Sequence, residues 1–166
     1  TAHLTYTKPA LRYVRLDRAF LPDISPGGAP RFMQDGLVEI EPGKNACIVA
    51  SGFATHIAKD VKKILAEQGH DVAIIDAFRI KPIDHAVLKK ALAPYAKIIT
   101  LEEHFLSGGM GGAIIEAMAD AQILKPVKRI GVNDTYFLEN GGRGYIQSLA
   151  GVDAKSAAKT AAEFLK

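Results

Sequence analysis

"ACIVASGFATHIAKDVKKILAEQGHDVAIIDAF", residues 46–78, decides the fold class. It opens on a short apolar run, ACIVAS (46–51), with no polar alternation, which reads as a strand buried on both faces. FATHIAKDVKKILAEQG (53–69) then places Ile57, Val61, Ile64 and Leu65 on one face of a helix. Gly69 stands where that helix must end. DVAIIDAF (71–78) is a second apolar strand. Two buried strands joined by an amphipathic helix make a crossover unit, and a crossover unit implies parallel strands.

The alternation continues downstream. Asp84 is placed to cap a helix over HAVLKKALAPY (85–95). AKIITLEE (96–103) predicts a strand, GGAIIEAMADA (111–121) a helix and VKRIGVN (127–133) a strand. A Gly-rich turn, DTYFLENGGRG (134–144), leads into two short helices, the last over 154–166 with Asp153 as its cap. Upstream, LVEIEPGKN (37–45) predicts a short strand and a turn. The expected fold class is therefore α/β: a three-layer architecture with a mostly parallel sheet of about five strands and helices on both faces.

The beginning of the chain reads differently. PALRYVRLDR (9–18) alternates β-branched and aromatic residues as a strand does. AFLPDISPGGAPRFMQDG (19–36) holds three prolines, three glycines and no periodicity, which marks a linker. The chain starts with Thr1 and runs at once into strand-like sequence, as a piece of a longer polypeptide is expected to do.

Composition narrows the function classes. The 166 residues suffice for about one domain with one sizeable core. A content of 48% hydrophobic and 23% charged residues is ordinary for a soluble globular protein. The net charge of +3 comes from scattered basic residues with no stripe interleaved with aromatics, so no nucleic-acid surface is expected. No apolar run approaches the roughly 20 residues of a membrane helix. The lone cysteine, Cys47, reads as a small buried hydrophobe in a reducing compartment, and a cytoplasmic location is expected.

LEEHFLSGGMGG (101–112) is where chemistry would be sought, because open α/β sheets bind ligands beyond the C-terminal ends of their strands. Gly108, Gly109, Gly111 and Gly112 lie between a strand and a helix. Dinucleotide-binding spacing counted from Gly109 and Gly111 requires glycine at 114, where Ile114 stands, and no Gly-Lys-Ser/Thr follows. An anion held by the free N–H groups of the helix start is one reading. A tight turn with close helix-to-sheet packing is the plainer one.

Glu102, Glu103 and His104 are strand neighbours, so at most Glu102 and His104 share a side. No second ligand cluster with metal spacing accompanies them. Ser51 and Ser107 lack the glycine pattern of a nucleophile elbow. His3, His56, His70 and His85 read as loop or helix-surface residues. No catalytic, cofactor-binding or metal set is complete.

A longer constellation does carry a resemblance. It comprises the Gly43-Lys44 turn, Lys81-Pro82-Ile83-Asp84, Glu102-Glu103-His104, the Gly108 to Gly111 helix start, and Arg129 to Val132 followed by Asp134. In this order, over roughly 43–166, these motifs resemble the C-terminal domain of the transketolase superfamily. YVRLDRAFLP (13–22) is similar to the last strand of that superfamily's preceding, pyrimidine-binding domain. The resemblance implies a division into 1–20 (the end of that domain), 21–36 (a linker) and 37–166 (the C-terminal domain). It places Arg18 on an arginine that contacts substrate phosphate, with Asp17 where a small residue is usual.

The whole enzyme implied would transfer two-carbon ketol units between sugar phosphates, as in the pentose phosphate pathway, with thiamine diphosphate and magnesium or calcium. The Gly-Asp-Gly…Asn motif for that cofactor, and the glutamate that activates it, belong to other domains, and Gly-Asp-Gly does not occur here. The implied partners are those domains or an N-terminal subunit, in a homodimer. This chain is then expected to be inert alone, with Glu102, Glu103 and His104 ordering an interface loop and Gly108, Gly109 and Gly111 leading it into the helix.

Two alternatives stand beside this. Within the same superfamily, the chain also resembles the corresponding part of a deoxyxylulose-phosphate synthase, which shares the Gly-Gly-x-Gly helix start, and more weakly that of a 2-oxoacid dehydrogenase beta subunit. From a different class, a free-standing anion-binding module would use the 108–112 glycines and Arg143 in NGGRGY; a turn arginine is the plainer reading of Arg143.

Overall fold

The computed structural model describes residues 6–8, 10–18, 20–24 and 35–166. From Ala46 to Val132, strands and helices alternate. The elements are β1 (Val38–Glu41), β2 (Ala46–Ala50), α1 (Phe53–Glu67), β3 (Val72–Asp76), α2 (His85–Leu92), β4 (Lys97–Phe105), α3 (Met110–Asp120), β5 (Val127–Val132), α4 (Arg143–Ala150) and α5 (Ala154–Leu165).

The sheet has five strands in the order β1-β3-β2-β4-β5. β2 pairs parallel with β3 on one side and β4 on the other, so Ile48 lies between Ile74 and Ile99. β4 pairs parallel with β5, and only the edge strand β1 runs antiparallel, against β3. The expected α/β architecture is what the chain adopts.

Side-chain alternation on β2 explains the layers. Ala46, Ile48 and Ala50 face α1 and α5, meeting Ile57, Val61, Leu65, Ala158 and Ala161. Cys47 and Val49 face α2 and α3, meeting Leu88, Leu92, Ile114 and Met118. Every residue of β2 and β3 is buried, which is why neither shows a polar alternation. Burial pushes the Cys47 thiol up to about 12, so it packs as a hydrophobe.

The ends are set locally. Asp84 accepts hydrogen bonds from the N–H groups of Ala86 and Val87, and Asp153 from those of Lys155 and Ser156. Gly69 takes φ +83 just past α1, a conformation that costs glycine little. Lys125 Nζ donates to the carbonyls of Leu92, Ala93 and Tyr95, placing a cation at the negative end of α2. Lys97 Nζ does the same for Phe164 and Leu165 at the end of α5.

Two sequence expectations need correction. Residues 10–18 form no strand, although 9–18 reads as one. A strand needs a neighbour for its backbone N–H and C=O groups, and the only sheet among the described residues ends at β1 and β5. β4 continues two residues beyond Glu103, because Leu106 N–H reaches the Val132 carbonyl and keeps the chain paired with β5. His3 and the middle of the 19–36 segment lie outside the described residues. Among the described residues, no helix is long and apolar enough to cross a membrane.

One buried acid makes the fold pH-sensitive. Asp76 ends β3, is 6% exposed, and accepts a hydrogen bond of 3.0 Å from the Thr55 hydroxyl in the first turn of α1. Burial raises its pKa from 3.8 to about 6, with the Thr55 bond opposing. A carboxyl whose pKa is higher folded than unfolded favours folding when protonated. That contribution is complete below pH 3.8 and is lost as pH rises through about 6. The shift amounts to about 3 kcal/mol. In urea titrations, Asp76→Asn should therefore gain about 2 kcal/mol relative to the parent chain between pH 4 and pH 7. Equal differences at both pH values would rule this out.

Candidate functional site

The strand order places a topological switch point between β2 and β4: β2 leads through α1 to β3 on one side, while β4 lies on the other. The loops after β2 and β4 therefore frame the crevice where open α/β sheets hold ligands. Alternation along β4 sends Glu102 toward the α3 face and Glu103 toward the α1 face, so the adjacent acids serve two different structures.

Glu102 is 4% exposed and reaches forward over the loop to the start of α3. Its Oε2 accepts from Met110 N–H at 2.5 Å and its Oε1 from Gly111 N–H at 2.9 Å. The carboxylate thus occupies the anion position at the positive end of α3, where an external phosphate would otherwise bind. Burial raises its pKa, while the two backbone donors pull the other way.

The glycines divide their labour around that carboxylate. Gly108 takes φ +72, which turns the chain back toward β4. A Cβ on Gly109 would collide with the Glu102 carboxylate and the Phe105 carbonyl. A Cβ on Gly111 would come within 2.5 Å of Thr100 Oγ1 and 2.8 Å of Glu102 Oε1. Gly112 faces open space. The plainer reading, tight turn plus close packing, is thus what these glycines do.

Glu103 belongs to a different cluster. Arg143, the first residue of α4, donates Nε to Glu103 Oε1 at 2.9 Å and Nη2 to Glu103 Oε2 at 2.6 Å. The other side of the same guanidinium grips Asp17, Nη1 to Oδ1 at 3.0 Å and Nη2 to Oδ2 at 2.7 Å. Its Cζ lies 3.7 Å from the centroid of the Phe53 ring at the start of α1. Gln147 donates to Glu103 Oε1 from the next turn of α4. Hydrogen bonds to Asp17 and then to Glu103 drive the Arg143 pKa still higher. The switch-point crevice is therefore filled by the chain's own arginine.

His104 is exposed and borders the cavity beside this cluster, its ring 6.2 Å from that of Phe105. Arg18 is exposed beside Asp17. Next to the cluster is a cavity of about 440 Å³, bordered by Glu103, Phe105, Val132, Phe137, Ile146 and Val152. It is of ligand size; Glu103, Arg143 and Gln147 on its wall bond to one another, leaving His104 as a further polar side chain in a mostly apolar lining. Among the described residues, no group of three or more His, Cys, Asp or Glu is placed to hold a metal ion.

The sequence places Glu102, Glu103, His104 and the glycines in one short stretch; the structure bonds Glu102 to the N–H groups of Met110 and Gly111 and Glu103 to Arg143. It also adds Asp17, Phe53 and Gln147, which no spacing rule connects to position 143. Opposite charges 126 residues apart leave no periodic signal.

The division among the glycines is testable by thermal or chemical denaturation. Gly111→Ala should destabilise the fold by roughly 1–3 kcal/mol through overpacking against Thr100 and Glu102. Gly112→Ala should be neutral or stabilising by about 0.5–1 kcal/mol, as alanine in an unobstructed helical turn is. Equal effects at the two positions would contradict the assignment.

The chain matches the family "Transketolase, C-terminal domain" over residues 36–156. It is similar to 1-deoxy-D-xylulose-5-phosphate synthase of Thermomicrobium roseum, with 35% identity over 157 residues, covering 94% of this chain and 24% of the synthase. It is also similar to one of the subunits of the apulose-4-phosphate transketolase of Phocaeicola vulgatus, with 31% identity over 161 residues, covering 97% of this chain and 50% of that polypeptide. A solved structure described as a split gene transketolase, inactive beta4 tetramer, superimposes with a TM-score of 0.74 at 28% identity, covering 88% of this chain and 46% of that one. The chain thus spans between a quarter and a half of the length of these relatives. The chain therefore belongs to the transketolase C-terminal domain family.

Proposed function

We propose that this chain is the C-terminal domain, with the end of the preceding domain (1–20) and a linker (21–36), of a transketolase-type transferase moving two-carbon ketol units between sugar phosphates. The domain's own role is structural: it packs against the remaining domains or an N-terminal subunit in a homodimer. A cytoplasmic enzyme of the pentose phosphate type is the setting this reading implies. One observation carries the structural role. The acids at the β4 end are both engaged internally, Glu102 by the start of α3 and Glu103 by Arg143, which leaves neither positioned as a general base.

The residues of this chain do not fit thiamine diphosphate and its metal ion. Gly-Asp-Gly is absent from the sequence, and the helix start that would attract a diphosphate is already filled by Glu102. The cofactor and its magnesium or calcium are therefore assigned to the domains that complete the enzyme. Within this chain, Arg18 is the residue assigned to the reaction, contacting the phosphate of the sugar substrate. Its exposed side chain supports that role.

The deoxyxylulose-phosphate synthase reading has specific support in the 35% identity to the Thermomicrobium roseum enzyme. Against the anion-binding module stands Arg143, whose guanidinium already carries two carboxylates.

Purified alone, the 166-residue chain should show no ketol transfer when given thiamine diphosphate, magnesium and sugar phosphates. Combined with the polypeptide that carries the upstream domains, it should support transfer, and Arg18→Ala should raise KM for the phosphorylated substrate. Ketol transfer by the chain alone would overturn the proposal. Formation of 1-deoxy-D-xylulose 5-phosphate by the combined enzyme, without ketol transfer, would select the synthase.

A further inference from the structure

Arg143 meets three segments that are far apart in sequence. Glu103 comes from the end of β4, Phe53 from the start of α1, and Asp17 from the segment that precedes the domain. Each carboxylate uses both oxygens on the guanidinium, an arrangement that fixes orientation as well as distance. Phe53 closes the flat face of the same group, and Gln147 holds the Glu103 carboxylate from behind. Three of these partners sit on regular elements of the core, so Arg143 is a rigid post. Asp17 lies on a segment with no strand or helix of its own between residues 10 and 18.

The side chains near Asp17 make few claims on the domain. Tyr13 is 91% exposed, Leu16 79% and Phe20 106%. Apolar packing therefore does not hold this stretch, and Asp17 is a residue that reaches the domain from it.

We infer that Arg143 and Asp17 are positioning residues: their clasp fixes the chain at residue 17 and so sets where the adjoining Arg18 presents its guanidinium to a substrate phosphate. Neighbouring Cα atoms are held about 3.8 Å apart, so anchoring Asp17 confines Arg18 to a small volume. The Asp17 carboxylate faces the domain while Arg18 is exposed to what binds from outside. The clasp is itself partly exposed, with 40% of the Arg143 side chain and 26% of the Asp17 side chain accessible. Solvent and salt therefore weaken it, and its effect is on geometry more than on stability. This inference rests on the transketolase reading for the role of Arg18, but the clasp does not.

Two measurements test it. In the 166-residue chain, chymotrypsin should cut beside Tyr13 and Phe20 about threefold to fivefold faster after Arg143→Ala, the range a partly exposed ion pair can supply. Arg143→Lys, which keeps the charge but loses the two-sided fork, should fall between. Molar salt should bring the parent chain toward the Arg143→Ala rate. Circular dichroism serves to show that each variant is folded. An unchanged cleavage rate in folded Arg143→Ala would overturn the clasp.

In the enzyme completed with its upstream domains, Asp17→Asn should raise KM for the phosphorylated substrate about threefold to fivefold and leave kcat unchanged. Arg18→Ala is the reference. If Arg18→Ala raises KM and Asp17→Asn does not, the positioning role fails and the phosphate role of Arg18 stands. If Arg18→Ala leaves KM unchanged, the phosphate role fails and the positioning role falls with it.

Discussion

The carboxylate of Glu102 is the constraint on which the functional end of this domain depends. It is buried at the point where β4, the glycine loop and α3 meet, and a buried carboxylate must be bonded. The N–H groups of Met110 and Gly111 satisfy it, and they are also groups that a helix start leaves without internal partners. Each side removes the other's unsatisfied polar groups. The cost is space: the helix must come close enough that Gly109 and Gly111 have no room for a side chain. A stretch with the composition of an active site is, on this geometry, a joint between a strand and a helix.

A second joint lies on the opposite face of the sheet. Arg143 crosses the C-terminal ends of β2 and β4 and is held by Glu103, Asp17 and the Phe53 ring. Many α/β proteins leave this crevice open for a ligand. Here it is closed by a charged side chain that also meets the chain segment entering the domain. The two adjacent acids of β4 thus anchor different things: Glu102 the helix within the domain, Glu103 the post that meets what precedes it.

Much of this fold was legible before any coordinates. The apolar runs of β2 and β3, the face of α1, the caps at Asp84 and Asp153 and the glycine past α1 each state a local preference, and every one is realised. Residues 10–18 were misleading for a physical reason. Their alternation is that of a strand, but a strand is a relation between two segments, and among the described residues no sheet neighbour meets them. The site was legible only in part. The pattern Glu-Glu-His with four glycines marks the place, and strand alternation predicts that Glu102 and Glu103 diverge. It does not say that the first would cap a helix and the second bind an arginine.

Fold class and order of elements follow from residues near one another in the chain, because periodicity, capping and turn chemistry act over a few positions. What each polar group at the sheet's end is for was settled only when distant segments met. Glu102 is a cap because α3 folds back over β4, and Arg143 is a post because α4 brings it to Glu103 and Asp17. The reason is that hydrogen bonds and ion pairs depend on distances of a few ångströms, and sequence separation carries no information about those distances once the chain has turned.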